Sequence, residues 1–484
     1  MASYKYGVYG VIGSDIAQSA SQAGKAVVYF GTAPVNFLTN YSGVVNTPVQ
    51  INSLSDAQKK IGHFSDSAEW SKYTLCEAVA AHFANKNGNI GPIYVINVLD
   101  PATHKKSTAT TVSLTFANRK ATITADDIII DTFAIDDKTL GTDYTLSYDY
   151  ESKTLTITDI GSTAMTTVSS SYKAVDFTAI TAATVVGGTV GGVSTGIAAV
   201  KLVYQLCNVI PTYLAAPGWS ETKTVYDALV AASQNINGHW FAFVYADMDI
   251  VSTKTITAAK TWKATNGYTS GFSKVFWPRV KDGDTVYHIS TLALVEKLRC
   301  DMDNDDIPFE TSGNKAIPAT TLYFGDSTQP FDKAEANELT AAGISTAVYW
   351  ESNWRVWGDH TAAYTYGGSC AAREIFESNI LMLFYVANSF QKEWGTTIDK
   401  PMTIALRDTI LNREQEKLDV LVAKGALIGE PVVEFVESNN ATVDMMNGDF
   451  RWDIAATPTP PLKSATAVVR YTDEGFSAYF GGES

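Results

Sequence analysis

Cysteine is scarce in this chain of 484 residues: Cys76, Cys207, Cys300 and Cys370 lie far apart, with no CxxC pair. That spacing argues against a disulfide scaffold or a zinc site and for reduced, buried thiols made in a cytoplasm. Positive charge is short too. Thirty-six Lys and Arg stand against 51 Asp and Glu, for a formal net charge of -15, and no long basic run occurs. A nucleic-acid partner is disfavoured, because phosphate neutralisation needs clustered positive charge. An anionic membrane surface is disfavoured for the same reason. The most apolar run, "NILMLFYVANSF" (379–390), is too short to span a bilayer and reads as a buried helix. The start, "MASYKYGVYGVIGSD", lacks a charged-then-apolar signal pattern, so nothing indicates secretion by that route. No internal repeat stands out, and no low-complexity tract beyond a Thr/Ser bias.

What is present describes a folded, multidomain protein. The chain is 45% hydrophobic and 18% charged, which excludes wholesale disorder and allows two to four cores. "AVVYF" (26–30) reads as a buried strand. Asp66, with Glu69 three residues on, reads as a capping-box start for a helix through Trp70, Leu75, Val79 and Phe83. "PIYVINVL" (92–99) reads as another strand, so the first part is α/β. Between 102 and 195 the chain turns Thr/Ser-rich and carries short alternating strands. "DYESK" reads as a hairpin connection between two of them. This is an all-β insertion, a small sandwich, closed by "VVGGTVGGVSTG" (185–196) as a flexible return linker.

The α/β pattern then resumes. "HWFAFVYAD" (239–247), "KVFWPRV" and "STAVYW" read as strands, and Asp332 with Glu335 caps a helix that ends at Gly343. After Thr361 two long helices are expected, at 369–394 and 399–424, stopped by Gly395 and Gly425. Strands "PVVEFV" and "FRWDI" follow. The chain closes with a "TPTPP" hinge and "SATAVVRYTDEGFSAYFGGES" (464–484). That tail reads as a strand, a tight turn at Asp473-Glu474-Gly475 and a second short strand.

No active site is legible. In "DMDNDD" (301–306), Asp301, Asp303 and Asp305 have the spacing of the first three ligands of a calcium loop. Asp306 stands where that loop needs Gly, and Ser312 where it needs Glu, so a solvated loop is expected instead. "GGSCAA" (367–372) is similar to the nucleophile segment of subtilisin-type proteases. None of His63, His82, His104, His239, His288 and His360 sits in a base motif, however, so Ser369 is expected as a helix N-cap. Trp354 and Trp357 around Arg355 read as a packed strand end rather than a ligand pocket.

Four segments carry a resemblance: "YLAAPGWS" (213–220), "HWFAFVYAD" ending in Asp247, "RVWGDHT" (355–361), and a C-terminal part of two long helices, "GDFRWDI" and an extended tail. In this order and spacing they resemble the sheath proteins of contractile phage tails and related injection machines, over residues 200–484. The resemblance implies an α/β (α+β overall), multidomain fold. Its parts would be an N-terminal arm (1–22), a first core part (23–101), an outward β-sandwich (102–195), a subtilisin-like domain (196–361), a C-terminal domain (362–461) and a C-terminal arm (462–484).

The resemblance further implies a structural role without enzymatic activity, cofactor or metal. Its partners would be further copies in hexameric, helically stacked rings, an inner tube protein, and baseplate and terminator proteins. The setting would be a virion tail or bacteriocin-like particle made in a bacterial cytoplasm. The arms would add strands to neighbouring subunits through Tyr4, Tyr6 and Val8 at one end and Val468, Val469, Arg470, Tyr471 and Phe476 at the other. Val468 with Arg470, and Val469 with Tyr471, would face opposite sides of the shared sheet. Arg407, Arg413 and Lys417, on the charged face of the second long helix, are candidates to face the tube, although a solvated face is the commoner use of such a stripe. Another self-assembling shell or surface protein, and a subtilisin-like hydrolase, are the alternatives.

Overall fold

A six-stranded sheet organises the chain. The computed structural model describes residues 21–22, 24–325 and 329–480. The expected N-terminal arm residues Tyr4, Tyr6 and Val8 lie outside them. The sheet order is Ser273–Phe276, Phe243–Asp247, Pro211–Ala215, Ala26–Gly31, Ile93–Asn97, Pro48–Ile51; all neighbours are parallel except the last pair. Val27, Val28, Tyr29 and Phe30 have no solvent exposure. Strands covered on both faces read as continuous apolar runs, which is why "AVVYF" and "FVYAD" carry no polar alternation. Helices Leu75–Phe83, Lys223–Ser233 and Ile289–Asp303 pack on this sheet. At its near end the chain enters through Ser21–Gln22, which pairs with Ile90–Gly91. The last two residues of the expected 1–22 arm are therefore tied to the body.

Asp66 does not open the long helix. It accepts from Ala68 N (3.0 Å) and caps only a 3-10 turn, Ser67–Glu69; the α-helix begins at Leu75. The reason is electrostatic. Asp66 and Glu69 both bind Lys153 Nζ at 2.7 Å, so the acidic pair clamps the β insertion. By contrast, Asp332 and Glu335 do form a capping box at Lys333–Ala341.

The insertion folds as two three-stranded antiparallel sheets. One has the order Lys120–Thr124, Thr154–Asp159, Tyr144–Asp149; the other has Thr110–Thr115, Thr167–Tyr172, Ala134–Ile135. Leu114, Ile123, Phe133, Leu155 and Ile157 are buried between them and the body. The glycine-rich return is not a flexible linker. It forms helix Ala182–Val186 and a hairpin, Gly188–Val190 with Val193–Thr195. Gly187 and Gly196 close its base with φ of +60° and +57°. A Cβ on Gly187 would lie 2.0 Å from the Thr195 carbonyl, and one on Gly196 2.3 Å from that of Val185. The glycines serve a close backbone approach, not mobility.

The C-terminal domain holds helices Glu377–Trp394 and Ile404–Ala423 against a two-stranded sheet, Leu427–Glu434 with Asp453–Pro458. Met382, Leu418, Leu421, Leu427 and Val433 form its small core. The first helix starts eight residues later than expected, and Ser369 is an exposed loop residue, not its N-cap. His360 causes the delay. Its ring stacks on Tyr364 (3.5 Å) and Phe376 (4.9 Å), and its Nδ1 meets the Ile375 carbonyl at 3.0 Å, so residues 361–376 close into a loop. Gly395 does not end the helix sharply but continues into a 3-10 turn. Gly425, with φ of +78°, ends the second helix.

Candidate functional site

Neither sequence candidate for chemistry assembles a site. Asp301 is not solvated: it is buried inside helix Ile289–Asp303, 2.5 Å from Lys297 Nζ, and accepts from the Tyr213 hydroxyl. Asp305 pairs with Lys424, and Asp306 accepts from Gly24 N (3.1 Å). Asp303, the remaining member of the expected ligand set, is exposed at the end of the same helix, so Asp301, Asp303 and Asp305 do not converge. Among the described residues, no group of three or more His, Cys, Asp or Glu side chains could hold a metal ion, and no helix is long and apolar enough to cross a membrane.

The histidines are engaged away from Ser369. His82 bonds Tyr29 Oη (2.8 Å) and the Ile90 carbonyl, His104 accepts from Asp100 N, and His239 meets Gln391. Burial alone brings His63 down to about 4.

The sixth histidine lies in a buried polar centre that sequence reasoning missed. His288 Nδ1 is 2.7 Å from Glu77 Oε2, and its Nε2 is 3.3 Å from Glu221, which also binds Arg279 at 2.5 Å. Asp247, at the carboxyl end of its strand, accepts from Ser290 N and its hydroxyl. Burial pushes His288 down, but Glu77 and the neighbouring carboxylates overcome it and hold the ring up at about 10. Burial likewise pushes Glu221 up, yet His288 and Arg279 hold it down at about 2. Burial raises Asp247 to about 6, with Glu221 and Glu77 adding to it against His288 and Ser290. These groups pair with one another, save for the buried Arg279 Nε, which has no partner among the described residues, and the arrangement is a structural clamp between the sheet and helices Leu75–Phe83 and Ile289–Asp303.

The clamp predicts a pH dependence. A histidine raised in the folded state stabilises fully below its unfolded value, about 6.5, and loses that contribution as pH rises through about 10. Urea unfolding is expected to show stability falling from pH 7 to 10 by up to about 1.4 kcal/mol per unit. His288→Gln should flatten that limb; an unchanged slope would remove His288 as its source.

Two further buried ion pairs escaped the sequence reading. Lys274 Nζ binds Glu377 at 2.7 Å with both side chains fully buried, and Lys297 binds Asp301. The available signal was a charge inside an apolar strand ("SKVFW") or ahead of an apolar helix ("FESNILMLF").

The surface features cluster at the C-terminal domain. Residues 460–472 leave the two-stranded sheet as irregular chain with no strand partner among the described residues. Val468, Val469 and Tyr471 are 74%, 92% and 83% exposed, and Arg470 is exposed as well. The expected turn and second strand are instead a helix, Glu474–Phe480, which includes Phe476. Phe476 N bonds the Asp473 carbonyl (2.9 Å) at the start of this helix.

The three cations suggested for tube contact are all paired within the chain. Arg407 meets Asp408 at 2.7 Å, Arg413 meets Glu393 at 3.1 Å, and Lys417 meets Glu414 at 2.7 Å and also Glu393. They form a locally neutralised stripe rather than a basic patch. Elsewhere on the surface, Tyr349 and Trp350 are exposed on hairpin Thr346–Trp357, and Lys333 lies over Trp350 (4.8 Å).

No family model matches the chain. The tail sheath protein of Burkholderia phage BcepMu is 26% identical, with 99% of each chain covered. The major tail sheath protein of Serratia phage KSP20 is 24% identical over 61% of this chain and 72% of its own. The tail sheath protein of Escherichia phage P2 is 25% identical over 58% and 69%. Among solved structures, a chain of the anti-feeding prophage baseplate superposes with a TM-score of 0.57 at 14% identity, covering 98% of this chain and 99% of that one. A chain of an extracellular contractile injection system, the PVC sheath complex in its contracted state, gives 0.54 at 13% identity over 98% and 99%. The sheath tail protein of Desulfitobacterium hafniense gives 0.51 at 10% identity over 89% and 93%. The fold is therefore that of contractile sheath subunits.

Proposed function

We propose that this chain is a contractile tail sheath subunit, a structural protein whose work is done through contacts with its own copies. The observation that carries the reading is similarity over 99% of the length to a tail sheath protein, joined to a sheath fold over 98% of the chain. The chemistry agrees. The buried ion pairs Lys274–Glu377 and Lys297–Asp301 are closed within the chain, and among the described residues, 460–472 form no ladder with any strand.

In this reading the subunits form hexameric rings stacked around an inner tube, between a baseplate and a terminator. The tail, residues 462–484, adds as a strand to the C-terminal sheet of a neighbour. Its exposed Val468, Val469 and Tyr471 would then be covered. Residues 1–20 are proposed as the second arm. Backbone hydrogen bonds hold such a joint while the rigid domains rotate about the chain beyond Thr459; Thr457 and Pro458 of the expected "TPTPP" hinge are instead paired in the two-stranded sheet. The energy of contraction is a difference between two sets of inter-subunit contacts, so no nucleotide is consumed. The β-sandwich is proposed to face outward.

Electron microscopy of the purified, concentrated protein tests this. Helical tubes or six-membered rings are expected. A monodisperse monomer at high concentration would overturn the reading.

A further inference from the structure

Strand Leu427–Glu434 has one edge against Asp453–Pro458. Its other edge is already bonded, but to a side chain. Gln415, on helix Ile404–Ala423, donates from Nε2 to the Pro431 carbonyl (3.0 Å) and accepts at Oε1 from Val433 N (3.2 Å). A second Nε2 contact, 2.9 Å to Asp419, keeps the amide oriented. The two backbone groups flank Val432. In a parallel ladder a single residue of the next strand makes this pair of bonds: it donates to the carbonyl on one side and accepts from the N–H on the other. The Gln415 amide therefore supplies the donor and acceptor that one residue of a third, parallel strand would supply. Pro431 has no N–H to offer, so a ladder on this edge begins at the Pro431 carbonyl whichever way the added strand runs, and the direction rests on the charge argument below.

Beyond Gln415 the chain borders an open groove of about 600 Å³, between Arg407 and Leu411 of the helix and Val433, Glu434, Phe435 and Val436 at and just past the end of the strand. Arg407 closes its far end, over the Phe435 ring at 5.9 Å and beside Asp408.

We propose that Gln415 is a placeholder, which caps this edge in the free subunit and gives way when the tail strand of a second copy adds there in parallel. The proposal rests on the strand-exchange reading above and assigns it an edge, a direction and a gate. The occupant is the tail because residues 464–472 are exposed, belong to no helix, and have no strand partner among the described residues of their own chain. Charge sets the direction. A tail running parallel to residues 431–436 brings Asp473 and Glu474 to the end where Arg407 stands. The device also has a purpose. An open edge invites indiscriminate pairing, whereas a side-chain amide satisfies it and is exchanged two bonds for two when the correct strand arrives.

The test uses the full-length subunit, kept dilute, and a fluorescent synthetic peptide copying residues 462–480. Gln415→Ala and Gln415→Asn, the latter one methylene too short to reach, are both expected to bind the peptide about five- to tenfold more tightly than the unaltered chain. Amide exchange across 431–434 should quicken in both variants and slow again on adding peptide. Equal or weaker binding by the variants would overturn the placeholder and leave Gln415 a simple tether, with strand exchange intact. Protection appearing at 453–458 instead would overturn the choice of edge. Binding to none of the three proteins would remove the strand-exchange reading, and this proposal with it.

Discussion

Removing residues 464–484 should abolish tube growth while leaving the folded body almost untouched. Among the described residues of this segment none is buried, and none belongs to a core cluster. The last anchored side chain before it is Lys463, over the Tyr364 ring at 5.7 Å. The thermal unfolding midpoint of the truncated chain is therefore expected within about 2 °C of the full chain's. Assembly is another matter. A strand joint of four to six backbone bonds, at about 1 kcal/mol net each, is worth about 4–6 kcal/mol before side-chain burial is counted. Its loss weakens each inter-subunit link by about a thousandfold or more. Sedimentation and negative-stain microscopy at a concentration where the full chain polymerises completely provide the measurement. If the truncated chain still forms tubes, the tail is not the joint. If it unfolds, the tail was part of the body.

That separation between body and tail was partly legible beforehand. Continuous apolar runs such as "AVVYF" mark strands covered on both faces, and the Asp332–Glu335 box marks a helix start, because both signals are local. The insertion's alternating Thr-rich strands were legible for the same reason. The misreadings share a cause in long-range contacts. Asp66 and Glu69 look like a capping box until Lys153, more than eighty residues away, claims both carboxylates. Ser369 looks like an N-cap until His360 folds residues 361–376 into a loop between Tyr364 and Phe376. The glycines of 187–196 look like a linker because a close backbone approach and a flexible segment ask for the same residue.

The assembly surface was legible only in outline. The tail's β-prone composition was visible, but its helix at Glu474–Phe480 was not, since the choice depends on whether a partner strand is present. The helix cations Arg407, Arg413 and Lys417 look like a basic face in one dimension. Glu393, on a different helix, neutralises two of them in three. Gln415 carries no sequence signal at all. Its meaning comes from facing Pro431 and Val433 across a turn.

The joint between the central sheet and the C-terminal domain should be the most sensitive point in the body. Lys274 lies on the edge strand Ser273–Phe276, and Glu377 opens helix Glu377–Trp394. Their 2.7 Å contact is fully buried, and the Tyr245 hydroxyl gives Glu377 a second donor. Thr311 donates to nearby Asp359 (2.6 Å), whose carbonyl accepts from Glu377 N (3.0 Å). A carboxylate at a helix start is favourable in itself, but the larger consequence comes from removing one partner. Glu377→Gln or Lys274→Met alone strands a charge away from water and should cost about 3–5 kcal/mol. Lys274→Met with Glu377→Leu removes both charges and should recover most of that loss, short of about 1 kcal/mol for the orphaned Tyr245 hydroxyl. Urea unfolding in the non-assembling 464–484 deletion background keeps polymerisation from masking the difference. Single variants within about 1 kcal/mol of their parent would mean that apolar packing of Ile380 and Leu381, not the ion pair, holds the domain that carries the tail. If the double variant is no better than the singles, the cost arises from lost packing volume rather than from stranded charge.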